Sequence, residues 1–334
     1  MFEKIKIHNN SAMQKIIDTI LRFFKRRKFV EILPYMLLLV LIISFYLITP
    51  IFLSRDNILV LLAQGMVLLL VSTAATFPIL MGSIDLSVAA NTTLSGIVAA
   101  LFISNIGVYA ALPAVLVGVG FGFLNGIVSV YFKLPSFIIT LGTMSIMDGT
   151  GLLLSEGSPI WFQNDAFTWI AKGSIFGGLQ NIVVWSVLAY IFFSFIGSYT
   201  RFGRYLVAIG GAEKIAKLSG INVEKYRILA FTFTGLLCGI AGILQISRVE
   251  SASPHFGAKL LMEAIAAVVI GGTPVSGGVG GIHRTFIGVL VITVLSNGLD
   301  VSLVHPYLQL IIKGAVVLSA VVLTLDRSKL ALVK

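Results

Sequence analysis

Ten apolar runs, most of them close to the length of a bilayer span, follow one another along this chain at 32–53, 58–80, 84–103, 108–131, 136–155, 181–199, 228–247, 259–273, 282–300 and 307–325. Crossing the hydrocarbon core of a membrane takes roughly 20 mostly apolar residues in a helix. Backbone polar groups inside lipid must also be satisfied by the segment itself or by a closed barrel. The runs are continuous and do not alternate with period two, which disfavours a barrel. The third, fifth and eighth are the least apolar, being short or carrying Ser, Thr, Asn, Gly and one acid. The expectation is an all-α integral membrane protein with about ten transmembrane helices. A composition of 57% apolar and 11% charged residues excludes a soluble enzyme, a disordered chain and a nucleic-acid binder. The single cysteine, Cys238, rules out an internal disulfide and a cysteine metal cluster, and its apolar run makes it a small core residue.

The formal charge of +10 is explained by topology. With the N-terminus in the cytoplasm, 19 of the 24 basic residues fall in inner segments and 4 in outer ones, leaving Lys313 inside a span. This asymmetry is the positive-inside pattern, and it predicts an even number of spans with both termini cytoplasmic. Residues 1–31 form a basic N-terminal segment. Within it Met13, Ile16, Ile17, Ile20, Leu21 and Phe24 make a helical stripe flanked by Lys15, Arg22, Lys25 and Arg26. That pattern suits an amphipathic helix on the inner leaflet, or simply a topogenic tail. The apolar run that follows is longer than a signal-peptide core and lacks a small-residue cleavage site, so no removal is expected.

Two long polar segments interrupt the spans of the domain at 32–326. The outer one, 155–180, is near neutral and carries Trp161, Phe162, Phe167 and Trp169, as an interfacial segment does. The inner one, 200–227, contains a short helix over Ala212 to Ser219. Glu213 stands in its first turn, Lys217 in its last, and Gly220 where a left-handed cap belongs. Ile215 and Leu218 give this helix an apolar ridge that a cytoplasmic partner can grip.

Several chemistries are missing. No G-x-x-x-x-G-K-[ST] phosphate loop appears, so ATP has no usual cradle on this chain. His8, His255, His283 and His305 are scattered, which argues against zinc. What is present is a pair of broken, polar helix junctions: Met81-Gly82-Ser83-Ile84-Asp85-Leu86-Ser87, and the stretch from Gly271 to Gly281 with six glycines, Thr273 and Ser276. Paired interruptions in two halves of a membrane chain point to an internal repeat and a transport path. Asp85, near the inner end of its span, suits a helix cap. Asn91 and Thr92, about 9 to 11 Å deeper, are the better candidates to line a path, with Thr93 and Ser95 on the same polar helix. Such residues also serve as hydrogen-bonding glue between helices.

Ile84-Asp85-Leu86-Ser87-Val88, Leu134-Pro135-Ser136-Phe137-Ile138-Ile139-Thr140-Leu141-Gly142-Thr143-Met144, Thr200-Arg201-Phe202-Gly203-Arg204-Tyr205, Ala208-Ile209-Gly210-Gly211, Leu218-Ser219-Gly220-Ile221-Asn222-Val223, Ala264-Ile265-Ala266-Ala267-Val268-Val269-Ile270-Gly271-Gly272-Thr273 and Ile312-Lys313-Gly314 stand in this order between about 50 and 326. Together they resemble the permease subunits of ribose-type ABC importers. The resemblance implies a ten-helix permease of the type II importer kind in a bacterial cytoplasmic (inner) membrane. It also implies three partners: a cytoplasmic ATP-binding subunit, a second permease as homo- or heterodimer, and an extracytoplasmic substrate-binding protein. ATP and Mg would then sit on the ATPase partner, with no cofactor held by this chain. Monosaccharides are the family's chief substrates, with sugar-like signals and nucleosides among related members. The inner loop 200–227 is implied to dock on the ATPase, through Gly211, Glu213, Ile215, Leu218 and Gly220. Asp85, Ser87, Asn91 and Thr92 are the expected pathway residues.

Three positions depart from the usual pattern: Ala89 for a frequent Gly, Leu261 where an acid is usual before Ala264-Ile265-Ala266-Ala267, and Asp148 where a neutral or basic residue is usual. Asp148 and Lys313 read as the two charges well inside spans, at similar depth below the outer surface. Either they pair, or Lys313 is wetted on its own. An ion-coupled secondary transporter is the competing function, and it too would draw on these charges. A membrane enzyme lacks any clustered catalytic set.

Overall fold

The computed structural model describes residues 27–176 and 178–324. The stripe expected between Met13 and Phe24 lies outside the described residues. Among the described residues thirteen α-helices follow in order: α1 Arg27–Ile48, α2 Arg55–Leu80, α3 Val88–Ile106, α4 Ala111–Phe132, α5 Ser136–Leu154, α6 Asp165–Lys172, α7 Asn181–Tyr199, α8 Arg201–Gly211, α9 Glu213–Leu218, α10 Val223–Val249, α11 Gly257–Ile270, α12 Ile282–Val301 and α13 Pro306–Thr324. Strands among the described residues are limited to two short antiparallel pairs, β1 (Ile160–Trp161) with β4 (Ser251–Ala252) and β2 (Ser174–Phe176) with β3 (Leu179–Gln180).

Among the described residues six helical stretches are long and apolar enough to cross a membrane: Arg55–Leu80, Val88–Phe132, Ser136–Leu154, Asn181–Tyr199, Val223–Val249 and Ile282–Val301. The second of these is α3 and α4 joined by a 3-10 turn at Gly107–Ala110. Ile32–Ile48 and Pro306–Ser319 are shorter apolar helices. The outside of the bundle is apolar as well, with Leu47, Leu116, Leu153, Phe192 and Ile311 all largely exposed. A surface of that kind is satisfied by lipid and not by water.

α2 and α10 form the centre. From Gly65 to Leu80 every residue of α2 is buried. α10 approaches α4 so closely that a Cβ on Gly118 would lie 2.6 Å from Gly235 O and 2.9 Å from Gly239 Cα. Lipid is as apolar as a leucine side chain, so helices in it associate by close contact, and small residues at four-residue spacing permit that contact. At one end of the bundle Phe77, Phe193, Phe202 and Phe233 pack edge to face or tilted, with centroids 5.1 to 6.0 Å apart, and hold α8 against α2, α7 and α10.

Segments assigned by sequence to one side of the membrane gather at one end. β1 in the stretch 155–180 pairs with β4 beyond α10, and Lys172 Nζ meets Glu250 Oε1 at 2.6 Å. α9 and both broken junctions lie together at the other end, joined by the bond from Gly278 N to Leu80 O of 3.0 Å and by the contact of Gly210 with both.

Candidate functional site

The two junctions end their first helices in the same way. At the end of α2, Gly82 N donates to Ile79 O at 2.9 Å and Ser83 N to Pro78 O at 3.0 Å. At the end of α11, Gly272 N donates to Val269 O at 2.9 Å and Thr273 N to Val268 O at 3.1 Å. Gly82 and Gly272 both take the left-handed conformation that such a stop needs, with φ +74 and +91. Asp85 then restarts the chain. Its Oδ1 accepts from Ser87 N at 2.8 Å and Ser87 Oγ at 2.6 Å, and Ser87 Oγ accepts from Asn125 Nδ2 at 2.9 Å. Asp85 and Ser87 therefore fix the start of α3 and tie it to α4. The turn they make moves that start to Val88, beyond the expected 84.

Asn91 faces α4. Its Nδ2 donates to Gly118 O at 3.0 Å and its Oδ1 accepts from Ser95 Oγ at 3.3 Å. Asn91 thus ties α3 to α4. Thr92 does line a cavity, of about 230 Å³, with Thr93 and Gly96 of α3, Gln245 and Ile246 of α10, and Ser251, Ser253 and His255 of the following segment. The hydroxyls of Thr92 and Thr93 donate back to Val88 O and Ala89 O, at 2.8 and 3.0 Å, leaving their oxygens as acceptors. Gln245 is half-buried and uses none of its hydrogen-bonding capacity among the described residues. No acid, lysine or arginine lines the space. Its volume lies below the range typical of drug-sized ligands, and its donors and acceptors suit a small neutral polar solute. The separation of Gln245 from Thr92 in sequence hid their meeting; Gln245, a lone amide in an apolar run, was the available signal.

At the other end, α9 spans Glu213–Leu218 and closes as expected: Ile221 N donates to Ala216 O at 3.1 Å and Gly220 adopts φ +82. Ala216 is buried beneath it, while Ile215 and Leu218 are 65% and 88% exposed. Glu213 is held by Arg227 at 2.9 Å and Lys217 by Glu224 at 2.6 Å, which fastens α9 to the start of α10. The Lys217 ammonium beside Glu224 holds that carboxyl below the usual carboxylate range. Gly211 closes α8, a helix not anticipated in the loop; Phe202, Leu206 and Ile209 packed inward were its signal.

The intramembrane charges require a correction. Lys313 Nζ lies 2.8 Å from Glu263 Oε1, joining α13 to α11, and Asp148 stands on the exposed face of α5 with no ion pair among the described residues. Glu263 immediately precedes Ala264, so the acid that Leu261 seemed to have replaced is present. Glu263 is six residues beyond Gly257 and Lys313 seven beyond Pro306, which sets both about 9 to 10 Å from the same end. Lys313 is therefore neither paired with Asp148 nor wetted on its own. Among the described residues no group of three His, Cys, Asp or Glu is placed to hold a metal.

The sequence model of the family described as branched-chain amino acid transport system / permease component matches residues 57–321. The ribose import permease protein RbsC of Bacillus subtilis (strain 168) is 38% identical over 333 residues, 98% of each chain. The RbsC of Escherichia coli (strain K12) is 35% identical over 90% of this chain and 95% of its own. The D-allose transport system permease protein AlsC of the same strain is 35% identical over 81% and 84%. No solved structure matches. A mostly helical bundle with membrane-length helices and a family match across most of its length make one conclusion: the chain is a multi-pass membrane permease that belongs to the branched-chain amino acid transport system / permease component family, a transport component and, like the permeases it matches, not an enzyme.

Proposed function

We propose that this protein is the membrane subunit of an ATP-driven importer that moves a monosaccharide, delivered by an extracytoplasmic binding protein, through a path beginning at the Thr92–Gln245 cavity. The observation that carries this is the cavity's lining: hydroxyls, a free amide and an imidazole without a carboxylate or lysine, which matches a neutral polyol. The names of the relatives, for ribose, allose and galactose import, point the same way. In this arrangement ten helices span a bacterial inner membrane, both termini are cytoplasmic, and a second permease completes the path. α9 docks on the ATP-binding subunit through Ile215 and Leu218, and ATP with Mg is bound there.

The test is uptake of labelled ribose, allose and galactose by proteoliposomes holding the chain with its ATPase and binding protein. ATP-dependent uptake of one sugar is expected, with Gln245→Leu or Thr92→Val raising the concentration needed for half-maximal uptake about tenfold, the equivalent of roughly 1.4 kcal/mol. Uptake driven by a proton or sodium gradient without ATP would establish the ion-coupled alternative. Replacing Ile215 by Asp is expected to abolish co-purification of the ATPase; retained association would remove α9 from the docking site.

A further inference from the structure

α8 ends on Gly210 and Gly211, and a single extended residue, Ala212, leads from it into α9. A Cβ on Gly210 would overlap the carbonyl oxygen of Leu80 and stand 2.5 Å from Gly278 N. One on Gly278 would lie 2.8 Å from both Cα and N of Gly211, and one on Gly277 would overlap Gly82 N and lie 2.8 Å from Ile79 O. Gly278 N also donates to Leu80 O at 3.0 Å. The end of α8, the stop of α2 and the turn after α11 thus meet backbone to backbone with no side chain between them. Side chains in a contact can change rotamer and absorb a displacement. Main chain in van der Waals and hydrogen-bond contact has no such freedom, so movement of one strand is handed to the others.

We propose that the contact of Gly210 with Leu80 and Gly278, continued by that of Gly277 with Gly82, is the transmission that carries movement of α9 into the two broken helices. Gly210 and its neighbours are then positioning residues for the transport cycle. This rests on α9 being the segment that docks on the ATPase. Three features favour the contact as the route. Only Ala212 lies between α9 and Gly211. The Glu213–Arg227 and Lys217–Glu224 pairs that offer a route into α10 are side-chain contacts with Glu213, Lys217 and Glu224 open to solvent, and ion pairs exposed to water and salt contribute little. The junctions reached are the starts of α3 and α12, and α3 carries Thr92 to the cavity.

Gly210 lies in helical backbone, so Gly210→Ala adds one methyl group to the contact without left-handed strain. The experiment uses the complete importer in proteoliposomes and measures three quantities: ATPase subunit co-purified, ATP hydrolysed, and sugar moved per ATP in assembled complexes. Association is expected to survive, with sugar moved per ATP falling about fivefold or more, the lower end of ordinary coupling between sites. Gly120→Ala on α4, whose Cβ would meet nothing within 4 Å, is expected to keep the parent ratio. An unchanged ratio in Gly210→Ala overturns the proposal, whether or not the yield of complex falls. If no complex is recovered, Gly82→Ala supplies the same readout through a looser contact, 3.1 Å from Ser276 O; its left-handed strain at φ +74 acts on yield and not on the ratio in assembled complexes, so an unchanged ratio there is equally decisive. Failure of the docking assignment shows separately, as association that survives Ile215→Asp.

Discussion

The two broken junctions begin alike and finish differently. Both close their first helix with the same pair of hydrogen bonds around a left-handed glycine. Beyond that point the stretch after α2 is held by side chains: Asp85 organises Ser87, Ser87 meets Asn125, and Ile84 N and Leu86 N donate to Ser136 Oγ and Thr140 Oγ1, each at 3.0 Å. The stretch after α11 is held by its backbone. Gly277, Gly278 and Gly280 have φ of +71, +79 and +108, and Gly281 N donates to Thr273 Oγ1 at 3.2 Å within the turn. The first junction is thereby pinned to α4 and α5, whereas the second is shaped to lie against α2 and α8. One is an anchor and the other a contact surface, although each follows the same helix stop.

The sharpest way to break this contrast is Gly277→Ala. A Cβ there both enters the left-handed region, at a cost of about 1 to 2 kcal/mol, and overlaps the Gly82 backbone, where overpacking costs about 1 to 3 kcal/mol. Loss of folded protein in detergent equivalent to about 2 to 5 kcal/mol is expected by thermal unfolding. A variant as stable as the parent would show that the second junction is not held by its backbone.

The next effect lies on the helix leading into that junction. α11 is anchored by Glu263 to Lys313, with side chains 26% and 20% exposed, while α2 is anchored to α12 by the reciprocal amide pair of Asn57 and Asn297, at 2.8 and 3.1 Å. Lys313→Met leaves a carboxylate unpaired within the bundle and is expected to cost about 3 kcal/mol. Adding Glu263→Gln should restore most of the loss, because the unpaired charge goes with it. If the losses in the double variant simply add, the two groups are not coupled. Asp148→Asn is expected to leave the stability unchanged, since Asp148 has no partner to lose.

Asp85 gives a smaller effect and separates charge from geometry. Asp85→Asn keeps an oxygen for Ser87 N and Oγ, while Asp85→Leu leaves buried donors unmet, a loss of about 1 to 3 kcal/mol. Stability near that of the parent in Asn and clearly lower in Leu is the expected order in thermal unfolding. Equal losses would mean that the charge, and not the turn, is what the first junction uses.

These anchors mark how far the sequence could be followed. The stops at Leu80 and Gly220 were legible because glycine, helix-breaking residues and apolar periodicity coincide there. α8 was not, because Thr200, Gly203, Gly210 and Gly211 resemble loop composition; Thr200 caps the helix, Gly203 packs on Gly197 and Gly210 on Leu80 and Gly278, contacts visible only once the neighbouring segments are in place. That Asn91 turns toward α4 and Gly118 was not legible, since position along a helix does not tell which neighbour a side chain faces. That Thr92 and Gln245 line one cavity was not legible either, because it depends on how α3 and α10 pack. Lys313 found its partner only in the structure, because Glu263 lies a full helix earlier in the chain.

The smallest expected effect tests how evenly the side-chain bonds of the first junction share the work. Ser136 is half-buried and Thr140 is buried. Removal of the Ser136 hydroxyl by Ser136→Ala leaves Ile84 N–H near enough to the surface for water to replace it, so the cost should be about 0.5 kcal/mol, the low end for a hydrogen bond. Thr140→Val keeps the shape but removes the acceptor for Leu86 N where water does not reach, which raises the cost to about 1 to 2 kcal/mol. Thermal unfolding of the two variants should therefore rank Thr140→Val below Ser136→Ala, with both milder than Gly277→Ala. The reverse ranking would mean that the anchor is set at the start of α5 and not one turn further in, and the contrast between a side-chain junction and a backbone junction would have to be redrawn around Ser136.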